Sequence, residues 1–134
     1  MQLMSDRQQD VNSMPNRILI ADDSPLMRRQ IRAILERDPG IRICGEAENG
    51  VEALQQVQES RPDLVVLDLR MPVMNGLVAT REIKKVAPNV VVLLFTLYDS
   101  PQIEVESKRA GADALLPKTA ASTELPQVIH SLLG

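Results

Sequence analysis

Three acids, a threonine and a lysine each stand where a short apolar run stops. Asp22-Asp23 follows Ile18-Leu19-Ile20-Ala21, Asp68 follows Leu64-Val65-Val66-Leu67, Thr96 follows Val90 to Phe95, and Lys118 follows Ala114 to Pro117. Two carboxylates about 4 Å apart repel by roughly 4 kcal/mol at an effective dielectric of about 20. Uncompensated, that repulsion raises one pKa by roughly three units. Three acids and one lysine carry a local charge of −2, which a divalent cation cancels. Few ligands, all oxygen and at an open rim, favour Mg²⁺ over Ca²⁺, because Mg²⁺ keeps several of its waters. A cation beside a free carboxylate and a fixed ammonium is equipment for phosphoryl transfer. In that chemistry Asp68 is the nucleophile, Thr96 hydrogen-bonds a phosphoryl oxygen and Lys118 neutralises its charge.

Each residue also has a plainer use. An acid at a strand end caps a loop, an Asp-Asp pair before Ser24-Pro25 caps a helix, and a single lysine is solvated. A flavin or nucleotide binder would need a Ser/Thr/Gly-rich phosphate loop after the first apolar run, and Asp-Asp-Ser-Pro has the wrong electrostatics for a bare phosphate. An aspartate-based phosphatase would need a proton donor two residues after Asp22 or Asp68, where Ser24 and Arg70 stand.

The elements that must bring these residues together alternate along the chain. Arg17 to Ala21 is a short buried strand, after which Ser24 caps a helix that begins at Pro25. Met27, Ile31, Ile34 and Leu35 recur at helical spacing until Asp38-Pro39-Gly40. Ile41 to Glu48 reads as a strand, and Val51, Leu54 and Val57 mark a helix that ends before Pro62. Leu64–Leu67 is apolar on both faces, and Met71-Pro72 then forces a loop. A helix from about Asn75, the strand ending at Thr96 and a helix from about Pro101 follow, the last stopping at Gly111 in a left-handed cap. Ala114 to Pro117 is a short fifth strand, where Pro117 suits a sheet edge. Ser122 is expected to cap a last helix, with Pro126 in its first turn.

Five strands alternating with five helices imply an α/β fold: a (βα)5 three-layer sandwich, flavodoxin-like, with a parallel sheet in the order 2-1-3-4-5. That order leaves a crevice between the first and third strands, with Asp22, Asp23 and Asp68 facing one another across it.

The chain of 134 residues, 44% hydrophobic and 25% charged, is long enough to bury one core. Residues 1–16 are polar and read as a disordered tail, leaving 17–133 as the folded domain. A net charge of −3 argues against nucleic-acid contact by the chain itself. No apolar run is long enough for a membrane span. The single cysteine, Cys44, suits a reducing cytoplasm and reads as a small buried hydrophobe. Arg28-Arg29 and Lys84-Lys85 read as solvated helix faces, and His130 lacks the neighbours of a phosphodonor.

Asp22-Asp23, Asp68-Leu69-Arg70-Met71-Pro72 with Gly76, Thr96, Ala110-Gly111-Ala112 and Lys118 together resemble the receiver domain of bacterial two-component response regulators. The resemblance spans about residues 17–133. Gly45 to Gly50 and Gly76 to Thr80 are most similar to the subfamily that usually carries a C-terminal helix-turn-helix and regulates transcription. It implies that Asp68 accepts a phosphoryl group from a phosphohistidine on a sensor histidine kinase or histidine phosphotransfer protein. It further implies that Asp23, Asp68 and the backbone carbonyl of Arg70 bind Mg²⁺, with Asp22 helping through water. Thr96 moves toward the phosphoryl group, Lys118 pairs with it, and an output surface switches. Catalysis is then confined to self-phosphorylation and autodephosphorylation, and a homodimer is compatible with it. Leu115 stands where the family usually has an aromatic residue, and the large Leu97 follows Thr96. These departures motivate an alternative: a receiver-like interaction module that works without regulated phosphorylation. Arg70 and Tyr98 flank the approach of an attacking water and are expected to tune the phosphoryl lifetime.

Overall fold

The computed structural model describes residues 14–97 and 99–134, with the side chains of 120–123 excepted. Most of the expected tail, and Tyr98, lie outside the described residues. The order is β1 (Asn16–Ala21), α1 (Pro25–Leu35), β2 (Ile41–Ala47), α2 (Gly50–Ser60), β3 (Leu64–Leu67), α3 (Gly76–Val86), β4 (Val91–Thr96), α4 (Pro101–Ala110), β5 (Ala114–Pro117), a 3-10 turn (Lys118–Ala120) and α5 (Ala121–Leu133). The strands form one sheet in the order β2-β1-β3-β4-β5, and every pairing is parallel. This is the flavodoxin-like architecture expected from the alternation of strands and helices. No helix among the described residues is long and apolar enough to cross a membrane.

The strands are apolar on both faces because both faces are covered. Leu19 and Ala21 of β1, Val65 and Leu67 of β3, and Val92 and Leu94 of β4 pack with Ala53 and Val57 of α2 and Ala79 and Ile83 of α3. The alternate residues Ile18, Ile20, Leu64, Val66, Leu93 and Phe95 pack on the other face with Ile31 and Leu35 of α1 and Leu125 and Ile129 of α5. Period two along each strand therefore feeds two cores.

Caps set where the helices begin. Ser24 Oγ accepts the Met27 N–H at 3.1 Å, and Asn75 Oδ1 accepts those of Leu77 and Val78 at 2.9 and 3.0 Å. Asn49 and Ser100 cap α2 and α4 in the same way, and Gly111 ends α4 with φ at 101°.

Several expectations are corrected. The last helix already begins at Ala121, so Ser122 lies within it rather than before it, and Pro126 lies inside it beyond the first turn. The 3-10 turn Lys118–Ala120 continues directly into α5, so the helix starts two residues earlier than a cap at position 122 implies. Cys44 is half-buried rather than fully buried: it packs against the core on the α2–α3 side and sits at a bulge. Ile18 pairs with Ile43 but Leu19 pairs with Gly45, so β2 carries one extra residue there. Arg29 and Lys85 are exposed as expected, but Arg28 binds Glu46, and Lys84 Nζ lies 2.8 Å from Asp113, so these two are ion-paired rather than freely solvated. His130 Nε2 lies 2.7 Å from Asp38 Oδ2, tying α5 to the loop after α1.

Candidate functional site

Because all five strands run the same way, their C-terminal ends share one rim. Asp22 leaves β1, Asp68 leaves β3 and Lys118 leaves β5 on that rim, and the sheet holds them at fixed spacing. The Asp68 N–H donates to Ala21 O at 2.9 Å and the Asp22 N–H to Ala47 O at 3.0 Å, so the ladder runs one residue into the site. The loop after Asp68 can close tightly because residue 76 is glycine: a Cβ there would collide with the backbone carbonyl of Asp68. The Gly76 N–H instead donates to Leu69 O at 2.8 Å.

One carboxylate oxygen each from Asp22, Asp23 and Asp68 lies within 4.8 Å of the other two. Asp22 is 2% exposed and Asp68 7%, whereas Asp23 is open to solvent. Asp22 is held on both oxygens: Oδ1 accepts the Ser24 N–H at 2.9 Å and Oδ2 accepts Lys118 Nζ at 2.7 Å. Lys118 also approaches Asp68 Oδ1 at 3.3 Å. Burial, and then the charge of Asp22, push the Asp68 carboxyl up to about 6, although Lys118 pulls the other way. One ammonium therefore does not neutralise this cluster. The remaining negative charge and the all-oxygen donor set fit a small hard cation.

These groups open onto a cleft of about 300 Å³ lined by Asp22, Asp23, Ser24, Met27, Asp68, Arg70, Leu97 and Lys118. Arg70 thus reaches the site. Thr96 is wholly buried at the end of β4 and does not line the cleft, while its neighbour Leu97, 62% exposed, does.

The sequence model of the response regulator receiver domain matches residues 18–130. The chain belongs to this family. The receiver domain is 40% identical over 122 residues to the protein-glutamate methylesterase/protein-glutamine glutaminase of Alkalilimnicola ehrlichii, covering 89% of this chain and 31% of that protein. It therefore spans about a third of the length of the methylesterases it matches. To the chemotaxis protein CheY of Thermotoga maritima it is 32% identical over 119 residues, covering 89% of this chain and 98% of that one. A LuxR-family two-component response regulator from Aurantimonas sp. SI85-9A1 has a crystal structure that superimposes with a TM-score of 0.85 at 34% identity, covering 89% of this chain and 85% of that one. Receiver family and fold together fit a phosphoacceptor module of two-component signalling.

The site of this receiver holds a contact that sequence reasoning missed. Arg28 Nη1 donates to the backbone carbonyl of Asp22 at 2.7 Å, and its Nε donates to Glu46 Oε1 at 3.0 Å. Arg28 and Arg32, four residues apart on α1, share a helix face, but nothing in β2 announces that Glu46 turns toward them.

Proposed function

We propose that Asp68 is the phosphoacceptor, taking a phosphoryl group from a phosphohistidine of a sensor histidine kinase or phosphotransfer protein. The observation that carries this reading is the convergence of three carboxylates and one lysine on a single open cleft. An Asp68 oxygen attacks phosphorus, the P–N bond breaks, and the imidazole leaves as the new acyl phosphate forms. Lys118, already 3.3 Å from Asp68 Oδ1, supplies a positive charge beside the transferred oxygens. The Thr96 hydroxyl follows by moving out of its buried place to donate to one of them.

The carboxylates of Asp23 and Asp68 and the backbone carbonyl of Arg70 would hold Mg²⁺, with Asp22 helping through water. When bound, that ion neutralises charge on the phosphoryl oxygens. Arg70, at the cleft, is proposed to set how long the acyl phosphate survives attack by water. Residues 17–133 are the receiver unit, and a cytoplasmic location suits a partner that carries phosphohistidine.

The motifs Gly45–Gly50 and Gly76–Thr80, together with the likeness to a LuxR-family regulator, support an output in transcription regulation. The 40% identity to a methylesterase favours a second reading, in which the receiver controls an enzyme instead.

The test is incubation with acetyl phosphate and MgCl₂, followed by intact-mass measurement. One phosphoryl adduct is expected in the wild type, and none in Asp68→Asn or when EDTA replaces MgCl₂. An unmodified wild type would favour the module that works by contact alone.

A further inference from the structure

Asp23 is the acid of the cluster with the least to hold it. It is exposed, and among the described residues its carboxylate accepts no hydrogen bond from protein. Its position therefore depends on the backbone before it, the peptide that joins Asp22 to Asp23. The oxygen of that peptide is the one Arg28 holds at 2.7 Å.

Arg28 is itself pinned. Its side chain is 13% exposed, and its Nε donates to Glu46 Oε1 at 3.0 Å, while Arg32 Nε donates to Glu46 Oε2 at 2.8 Å. Burial raises the Glu46 carboxyl, but hydrogen bonds and charge from Arg32 and Arg28 outweigh that and hold it below the ordinary carboxylate range. Both arginines thus face a charged partner.

The strand is shaped for this contact. Ile41 and Ile43 face the α1 side, as their packing with Ile31 and Leu35 shows. Strict alternation would put residue 46 on the opposite face. The extra residue at the bulge reverses the parity, so that Ala47 packs on the α2–α3 side while Glu46 meets α1.

We propose that Arg28, anchored by Glu46, is a positioning residue for the metal site: it fixes the Asp22–Asp23 peptide so that the Asp23 carboxylate is aimed into the cleft. This rests on the Mg²⁺ reading given above. Arg32 supplies an internal control. It joins α1 to the same Glu46 but does not touch Asp22.

Two physical effects of Arg28 have opposite signs, which makes the proposal testable. As a positive charge held against the Asp22 carbonyl, Arg28 repels a cation at the neighbouring carboxylates, so its removal would tighten Mg²⁺ binding. As a positioning group, its removal loosens Asp23 and weakens binding, by roughly tenfold for an outer contact of a metal ligand. The experiment is calorimetric titration of the whole chain with MgCl₂, with thermal melts in EDTA on the same samples. Arg28→Met and Arg28→Lys are both expected to lose about tenfold in Mg²⁺ affinity. The lysine keeps the charge but lacks the fork that spans the Asp22 carbonyl and Glu46. Arg32→Met is expected to melt lower with wild-type Mg²⁺ affinity. Unchanged or tighter binding in the Arg28 variants, or an equal loss in Arg32→Met, would overturn the positioning role. A wild type that binds no Mg²⁺ would overturn the metal site itself and this role with it.

Discussion

At the scale of single residues, the site is expensive before it is useful. Asp68 is nearly buried, stands beside Asp22, and is only partly compensated by Lys118, so it holds its proton up to about 6. A carboxyl whose folded pKa lies above its ordinary value of 3.8 binds its proton more tightly in the folded chain. Stability from this group is therefore lost as pH rises from 3.8 through about 6. Asp68→Asn removes the loss. In EDTA above pH 6 the variant is expected to be more stable than wild type, by an amount on the order of 1–2 kcal/mol. The difference should fade below the ordinary carboxyl pKa of 3.8, where both folded and unfolded wild type carry the proton. Urea melts across that range check it, and a variant that is less stable at neutral pH would contradict the crowding of negative charge. The acids, the lysine and the loop after Asp68 were legible in the sequence because each ends an apolar run. Arg28 was not, because Arg28-Arg29 looks like any charged helix face until its partner across the sheet is known.

At the scale of elements, strands and helices were legible where periodicity was clean and obscured where one residue was added. The bulge at Cys44–Gly45 leaves no mark in composition, yet it decides which face Glu46 takes. The start of α5 was hidden because the 3-10 turn from Lys118 runs into it without a break. The loop between β3 and α3 carries its own cost. The Met74 N–H donates to Pro72 O at 2.7 Å, closing a three-residue turn around Val73, whose φ is 69°. A β-branched residue is strained there. Val73 is 81% exposed and loses little packing if replaced. Met74 O in turn accepts the Gly50 N–H at 3.0 Å, so the turn is braced against the start of α2. Val73→Gly is expected to raise stability by about 0.5–1 kcal/mol, the relieved strain exceeding the added freedom of the unfolded chain. Chemical denaturation of the variant measures this, and a loss of stability would mean that the turn is not strained.

At the scale of the whole molecule, the parallel sheet does the assembling. The order β2-β1-β3-β4-β5 sets β1 beside β3, so two acids far apart in sequence become neighbours at one rim. Lys118 arrives from the far edge and crosses to Asp22, 96 residues earlier in the chain. This arrangement was legible because alternation of strands and helices leaves few topologies for a parallel sheet. What alternation could not reveal was that Thr96 stays buried while Leu97 faces the cleft, since neighbouring residues at a strand end are told apart only by the turn that follows. The central claim is that the negative crowding at this rim makes Asp68 the atom donor for a new phosphoryl bond. Reductive trapping tests it most directly: the chain is treated with acetyl phosphate and MgCl₂, then with borohydride, which converts an aspartyl phosphate to homoserine. Homoserine is expected at position 68 alone in the peptide map, whereas homoserine at another aspartate, or at none, would contradict the assignment.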